Sequence, residues 1–487
     1  MSLLRSNREF RRLFVGRLTT NAGDSLYAIA AMWLVWELTR DPLFTGVAAF
    51  LTQAPSALGF LVGPLVDRWD LRRVLVVVQA VQAVLVLAVP LASLTGTLSV
   101  WVVLLVMPVL AAVDQFTGPA QTAALPLVVD DDRLTRANSL FATTAGAANG
   151  VFNALSGVLV ALTGAVALYA LDAVTFGVAA LLFLGLRLDG DEETAETEVD
   201  GRSAESDVAE GSTDTDVDAD ESGPDETTGA AEADGFDWAG YADELRSGAQ
   251  YLRGSVLVPV VVGALVVNFT SAATMAVLPA FAAEFSGAQS YGFLMAAFAV
   301  GNLAGTAAAG VLPDRPFGEL AVVCPLVTGV GFVAVAFVDW FPAVLALVVV
   351  ALVPMGLFNV TFQSLVQSVV ADDLLGRVSS LLKSGTSVAM PIGSVVGGAA
   401  AGVVGVRGLI LGQAVAIATL GLAFAVSGRL RSIPTVADAD PSALGLGADP
   451  DRADATSVSA SPGEGHTDDA GHEPDDDALG PRTDATE

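Results

Sequence analysis

Histidine is almost missing from this chain of 487 residues: His466 and His472, both in the last stretch, are its only two. Cysteine is rarer, with Cys324 alone in an apolar run, so a disulfide framework is excluded. A body without histidine and with one thiol supplies neither a zinc site nor a Ser-His or Cys-His pair, which removes most membrane-embedded hydrolase chemistries. No cofactor is implied. Positive charge is scarce as well. A formal net charge of −30 repels phosphate and no basic patch offsets it, so a nucleic-acid partner is not expected.

What is abundant is apolar surface. Hydrophobic residues make up 53% of the chain and the mean hydropathy is +0.61, which conflicts with −30 until the charges are located. Residues 189–237 hold 20 acids and one Arg, and residues 432–487 hold 14 acids and two Arg. The remainder is nearly neutral. The expected organisation is therefore a membrane body, 1–188 and 245–431, with an acidic disordered linker at 189–244 and an acidic disordered tail at 432–487.

Apolar stretches of about 20 residues or more are read as twelve spanning helices. They lie near 13–38, 44–66, 74–95, 99–128, 139–163, 165–187, 255–283, 290–312, 319–338, 342–370, 378–403 and 408–428. Open strands cannot satisfy their backbone in lipid, so an all-α membrane protein is expected. The divisions 3/4, 5/6 and 11/12 rest on short Gly/Thr breaks. Arginines fall on alternate loops: Arg5, Arg8, Arg11 and Arg12, then Arg68, Arg72 and Arg73, then Arg133, Arg136 and Arg187. Opposite loops carry only Arg40 and Arg407, which predicts a cytoplasmic location for both termini and the central loop. Arg11-Arg12-Leu13-Phe14-Val15 is similar to a twin-arginine export signal. The apolar run behind it is too long, holds Asp24 and lacks a small-x-small cleavage site.

The chain also repeats itself. Gly63-Pro64-Leu65-Val66-Asp67-Arg68 returns 247 residues later as Gly310-Val311-Leu312-Pro313-Asp314-Arg315. Phe116-Thr117-Gly118-Pro119-Ala120-Gln121 matches Phe358-Asn359-Val360-Thr361-Phe362-Gln363 at an offset of 242. Two parallel halves of six spans are the layout of a two-lobed carrier. With Gly-x-Leu-x-Asp-Arg-x-x-x-Arg-Arg after the second span, the chain resembles the major facilitator superfamily. Asn7-Arg8-Glu9-Phe10-Arg11-Arg12-Leu13, Ala22-Gly23-Asp24, Trp33-Leu34-Val35 and Asp67-Arg68-Trp69-Asp70 are similar to the branch with macrolide and siderophore exporters, as are Pro391-Ile392-Gly393-Ser394 and Gly397-Gly398. The single Lys383 and the excess of Asp resemble proteins of salt-loving archaea.

That resemblance implies a monomeric secondary transporter in the cell membrane, moving a small molecule by alternating access, with a proton or sodium ion as the coupling partner. It implies proton-coupled efflux, with lipid flipping, or a non-transporting receptor or scaffold, as alternatives. It also implies that the loop motif is a gate, since the same motif serves so in the family. Gly63 would let span two pack on span eleven, Asp67 would sit at the start of span eleven, and Arg68, Arg72 and Arg73 would pair with acids at the end of span four, Asp130 foremost. Asp314 and Arg315 are the second copy.

A transport site requires groups at mid-membrane, where ionisable residues are expensive. Asp24 lies roughly 18 Å into span one and Asp114 roughly 24 Å from Asp130 at 1.5 Å per residue. Both are candidates for proton coupling or substrate contact, or else accept a hydrogen bond from a neighbouring helix. Asp172 is assigned to packing, with a coupling role as the alternative, and Glu284 and Asp339 to solvated span ends. Asn21, Gln115, Asn149, Asn268, Asn359 and Gln363 either line the cavity or tie helices together. Phe116, Phe269, Met275, Phe358 and Phe362 are candidates for an apolar wall.

Overall fold

A computed structural model describes residues 4, 7–66, 68–187, 246, 257–311, 315–370 and 372–439. These are helical apart from turns and short irregular joints, with no strand among the described residues. The helices are α1 Arg8–Thr39, α2 Pro42–Gln53, α3 Val62–Val66, α4 Leu71–Leu94, α5 Val100–Asp114, α6 Thr117–Ala124, α7 Asp131–Thr163 and α8 Ala165–Leu184. After the linker follow α9 Leu257–Ala283, α10 Ala288–Ala309, α11 Phe317–Phe337, α12 Phe341–Val369, α13 Asp372–Val426 and α14 Gly428–Arg431. Among the described residues, eight stretches are long and apolar enough to cross a membrane.

Local chemistry sets the boundaries. The Asn7 side chain accepts from the Phe10 amide to cap α1, and Asp41 caps α2 with Pro42 in its first turn. The three divisions that rest on short Gly/Thr breaks fall at glycines with positive φ: Gly96 at 75°, Gly164 at 83° and Gly405 at 74°. Gly405 breaks the long α13 between what were read as spans eleven and twelve.

Two expected spans are not continuous. Residues 44–66 form α2, a 3₁₀ segment Ala54–Leu61 and then α3. Pro55 in that segment removes an amide that an α-helix would use. Residues 99–128 form α5 and α6, parted at Gln115–Phe116.

Two apolar cores result. The larger joins first-half residues such as Ile29, Val35 and Val106 to second-half residues such as Phe281, Leu294 and Val348. The smaller holds only first-half residues, among them Phe10, Leu13, Val66, Leu75 and Phe183, at the arginine-rich end of the helices. The closest approaches between halves lie toward the other end. A Cβ on Gly157 of α7 would overlap the Gly292 backbone of α10, and one on Gly46 of α2 would lie 2.6 Å from the Ser394 carbonyl and 3.0 Å from the Gly398 Cα of α13.

The chain after α14 does not leave the body at 432, where the tail was expected to begin. The Phe317 and Gly318 amides donate to the Pro434 and Ile433 carbonyls at 2.9 and 3.1 Å, and Ile433 is buried. The free amides at the start of α11 need acceptors, and this segment supplies them. Residues 440–487, and all of 189–244, lie outside the described residues.

Candidate functional site: carboxylates and amides inside the first half

Asp24 sits in the middle of α1, and Asp114 is the last residue of α5, at the break before α6. Both residues are partly exposed, while their carboxylates are largely enclosed by the surrounding helices. Asp24 lies within electrostatic reach of Asp114 and of Asp172 on α8. The helix break at Asp114 resembles the discontinuous helices from which carrier sites are built. The structure thus brings the two predicted carboxylates together and adds a third.

A polar chain leads to Asp114. The Thr20 hydroxyl is 3.2 Å from Gln79 Oε1, Gln79 Nε2 donates to Gln82 Oε1 at 3.1 Å, and Gln82 Nε2 donates to Asp114 Oδ1 at 3.3 Å. Thr20, Gln79 and Gln82 are almost completely buried. Sequence reading missed both glutamines because α4 otherwise reads as an uninterrupted apolar helix. Their spacing of three, which puts them on one face, was the available signal.

Asp172 is 0% exposed. Thr175 Oγ1 donates to its Oδ1 at 3.1 Å, while Oδ2 has no partner among the described residues. Gly23 makes room for it, since a Cβ there would strike Asp172 Oδ1 and Thr175 Oγ1. The Tyr27 and Tyr169 rings meet edge to face at 5.5 Å beside this group, and their hydroxyls are also buried without partners. Unpaired buried polar atoms are costly. Three of them lie together next to Asp24.

The described residues of the loop motif make their polar contacts within their own half. Gly63 has nothing within 4 Å of a Cβ position, and Gly46, at the other end of the same span, makes the close approach to α13. Asp130 does not pair with Arg68, Arg72 or Arg73. It is 4.0 Å from Arg133, three residues on and thus on its own helix face. Arg73 pairs with Asp70 at 3.1 Å, and Asp70 also accepts from the Arg73 amide to cap α4. Arg72 Nη2 donates to the Leu184 carbonyl at 2.6 Å, at the end of α8. Arg68 is exposed. Arg315 lies 3.8 Å from Glu319. Asp67 and Asp314 are outside the described residues.

The amides mostly turn back on their own helices. Asn268 Nδ2 donates to the Ala264 carbonyl at 2.8 Å and Gln115 Nε2 to the Ala111 carbonyl at 3.3 Å. Asn21 is half-buried, Asn359 and Gln363 are exposed, and the side chain of Asn149 lies outside those described. Phe358 is not a free cavity wall, because it packs with Phe317, Phe362 and Phe424. Phe116 stacks on Trp69 at 6.0 Å. Glu284 and Asp339 are not merely solvated: Arg407 Nη2 lies 2.9 Å from Glu284 and 2.6 Å from Asp339. These two carboxylates raise the Arg407 pKa above the ordinary arginine value.

A helical bundle with eight stretches long and apolar enough to cross a membrane, and with carboxylates set inside it, has the architecture of a membrane transport protein. The chain belongs to the Major Facilitator Superfamily, whose profile matches residues 13–242 and 260–450. The multidrug efflux pump Tap of Mycobacterium tuberculosis (strain ATCC 25618 / H37Rv) is 24% identical over 431 residues, covering 87% of this chain and 94% of the relative. Tap of Mycolicibacterium fortuitum is 23% identical over 425 residues, covering 85% and 95%. In fold, a bacterial homologue of the iron transporter ferroportin aligns with a TM-score of 0.58 at 16% identity, covering 88% of this chain and 100% of that one. A bacterial homologue of the lysosomal transporter Spinster aligns at 0.59 and 12% identity, covering 85% and 95%.

Proposed function

We propose that this protein exports small molecules across the cell membrane by alternating access, driven by proton entry through Asp24 and Asp114. Twelve spans in two six-helix lobes, 1–188 and 245–431, carry the cycle, with both termini and the linker in the cytoplasm and a single chain as the working unit. The observation that carries this reading is the placement of Asp24, in the middle of α1, within electrostatic reach of Asp114 at the break after α5. Outward direction is supported by the likeness to Tap. Exchange follows if a substrate and a proton compete for the same carboxylates, because each then favours a different state of the carrier. The conformation fits one stage of it, with the halves in contact away from the arginine-rich end.

The test is flux in inverted vesicles under an imposed proton gradient, with a panel of fluorescent amphipathic dyes. Wild type should accumulate at least one dye in a gradient-dependent way. Asp24→Asn and Asp114→Asn should each reduce the initial rate by tenfold or more at equal protein level. Undiminished flux in the double variant rejects the coupling role, and uptake that follows sodium instead replaces the ion.

A further inference from the structure

A second pocket lies apart from the carboxylate site, at the arginine-rich end of the first half. It is lined by Arg8, Glu9, Arg12, Arg72, Leu184, Gly185, Leu186 and Arg187, and measures about 360 Å³. At about 30 Å³ per liquid water, that is room for roughly a dozen waters. Four guanidinium groups share it with one carboxylate. Two of the four are committed to the floor: Arg12 donates to the Gly185 carbonyl and pairs with Glu9 at 2.8 Å, and Arg72 donates to the Leu184 carbonyl. They neutralise the carbonyl end of α8, where the helix dipole favours cations. Glu9 is occupied as well, accepting from the Arg187 amide at 2.9 Å. Arg8 and Arg187 are exposed and have no acidic partner among the described residues.

The pocket opens where the apolar helices end. Leading away from it, Leu87 of α4 and Val178 and Leu181 of α8 are 39–71% exposed on two helices that pack together. In a membrane chain such a strip faces acyl chains. A cationic pocket at the head of an apolar strip is complementary to one molecule class, an anion carrying hydrocarbon tails.

From this juxtaposition we infer that the pocket binds the phosphate headgroup of an anionic phospholipid, held by Arg8 and Arg187, with its chains along α4 and α8. Basic pockets at helix ends hold such headgroups through charge, and planar guanidinium suits phosphate oxygens. The inference stands independently of the transport reading.

The experiment uses the full chain in phosphatidylcholine nanodiscs doped with phosphatidylglycerol, reading lipids retained per chain by native mass spectrometry after gentle extraction. Wild type should retain phosphatidylglycerol in preference to phosphatidylcholine. Arg8→Gln/Arg187→Gln should weaken that preference roughly 30-fold, from about 1 kcal/mol per interfacial arginine. Arg8→Lys/Arg187→Lys, which keeps the charge, should retain most of it and guards against a folding defect. Equal retention by wild type and the Gln variant overturns the site. So does absence of retention in wild type that appears only when residues 189–237 are deleted, because the acidic linker would then be the occupant.

Discussion

Gln82 is the residue on which the buried polar chain turns. It accepts from Gln79 and donates to Asp114, so Gln82→Leu strands both neighbours at once. A buried polar group without its partner costs about 1–3 kcal/mol. Removing both glutamines strands fewer groups. The unfolding temperature should therefore fall most in Gln82→Leu, and Gln79→Leu/Gln82→Leu should lie above the sum of the two single losses. Neighbours in one network couple by about 0.5–3 kcal/mol. Strict additivity would mean that the glutamines are independent. The carboxylates at the end of this chain were legible in the sequence, because a charge in an apolar run stands out. The glutamines were not, since their partners lie on other helices and only the fold brings positions 79, 82 and 114 together.

At the level of whole elements, the ends of helices carry ties that hydropathy does not reveal. Arg407 joins the ends of α9 and α11 through Glu284 and Asp339. Its elevated pKa means that it contributes in the charged form at every pH below the ordinary arginine value, and loses that only as pH rises past the elevated one. An exposed pair is worth about 0–1 kcal/mol and is screened by salt. Arg407→Gln should thus lower the melting temperature by about 1–2 °C in dilute buffer, with the difference vanishing in molar salt. An undiminished difference in high salt would shift the explanation to the Ala336 carbonyl that Arg407 also reaches. The segment after α14 is a second tie. A chain ending at Ala439 should match the full chain in stability. One ending at Arg431 loses two backbone hydrogen bonds and the burial of Ile433, about 3 kcal/mol or more together, and should unfold earlier in detergent. Sequence reading placed this boundary by charge alone, which marks where acids begin rather than where the backbone finds its last partners.

Across the whole molecule, the repeat at half length led to the expectation of two similar halves, and eight helical stretches among the described residues are long and apolar enough to cross a membrane. What the repeat does not encode is how the halves meet. Gly46 and Gly157 were invisible as contact points because glycine is common in membrane helices, and their meaning depends on Gly398 and Gly292 being opposite. The loop motif drew attention to Gly63, whereas the close approach of this span is made at Gly46. These close backbone crossings set the final prediction. A leucine at Gly157 cannot fit against the Gly292 backbone, and overpacking of this kind costs about 1–3 kcal/mol, as much as separates the states of many two-state proteins. Gly157→Leu should therefore part the halves at that end and favour closure at the arginine-rich end. The readout is a reporter Asn21→Cys on half-buried α1, in a Cys324→Ala background, labelled by a membrane-impermeant thiol reagent. With Gly157 intact, labelling should come from the arginine-rich side, in inverted vesicles. With Gly157→Leu it should shift to right-side-out vesicles, at a rate changed by tenfold or more. Labelling from the same side in both would show that the glycine crossing is a packing seam that does not separate alternating states.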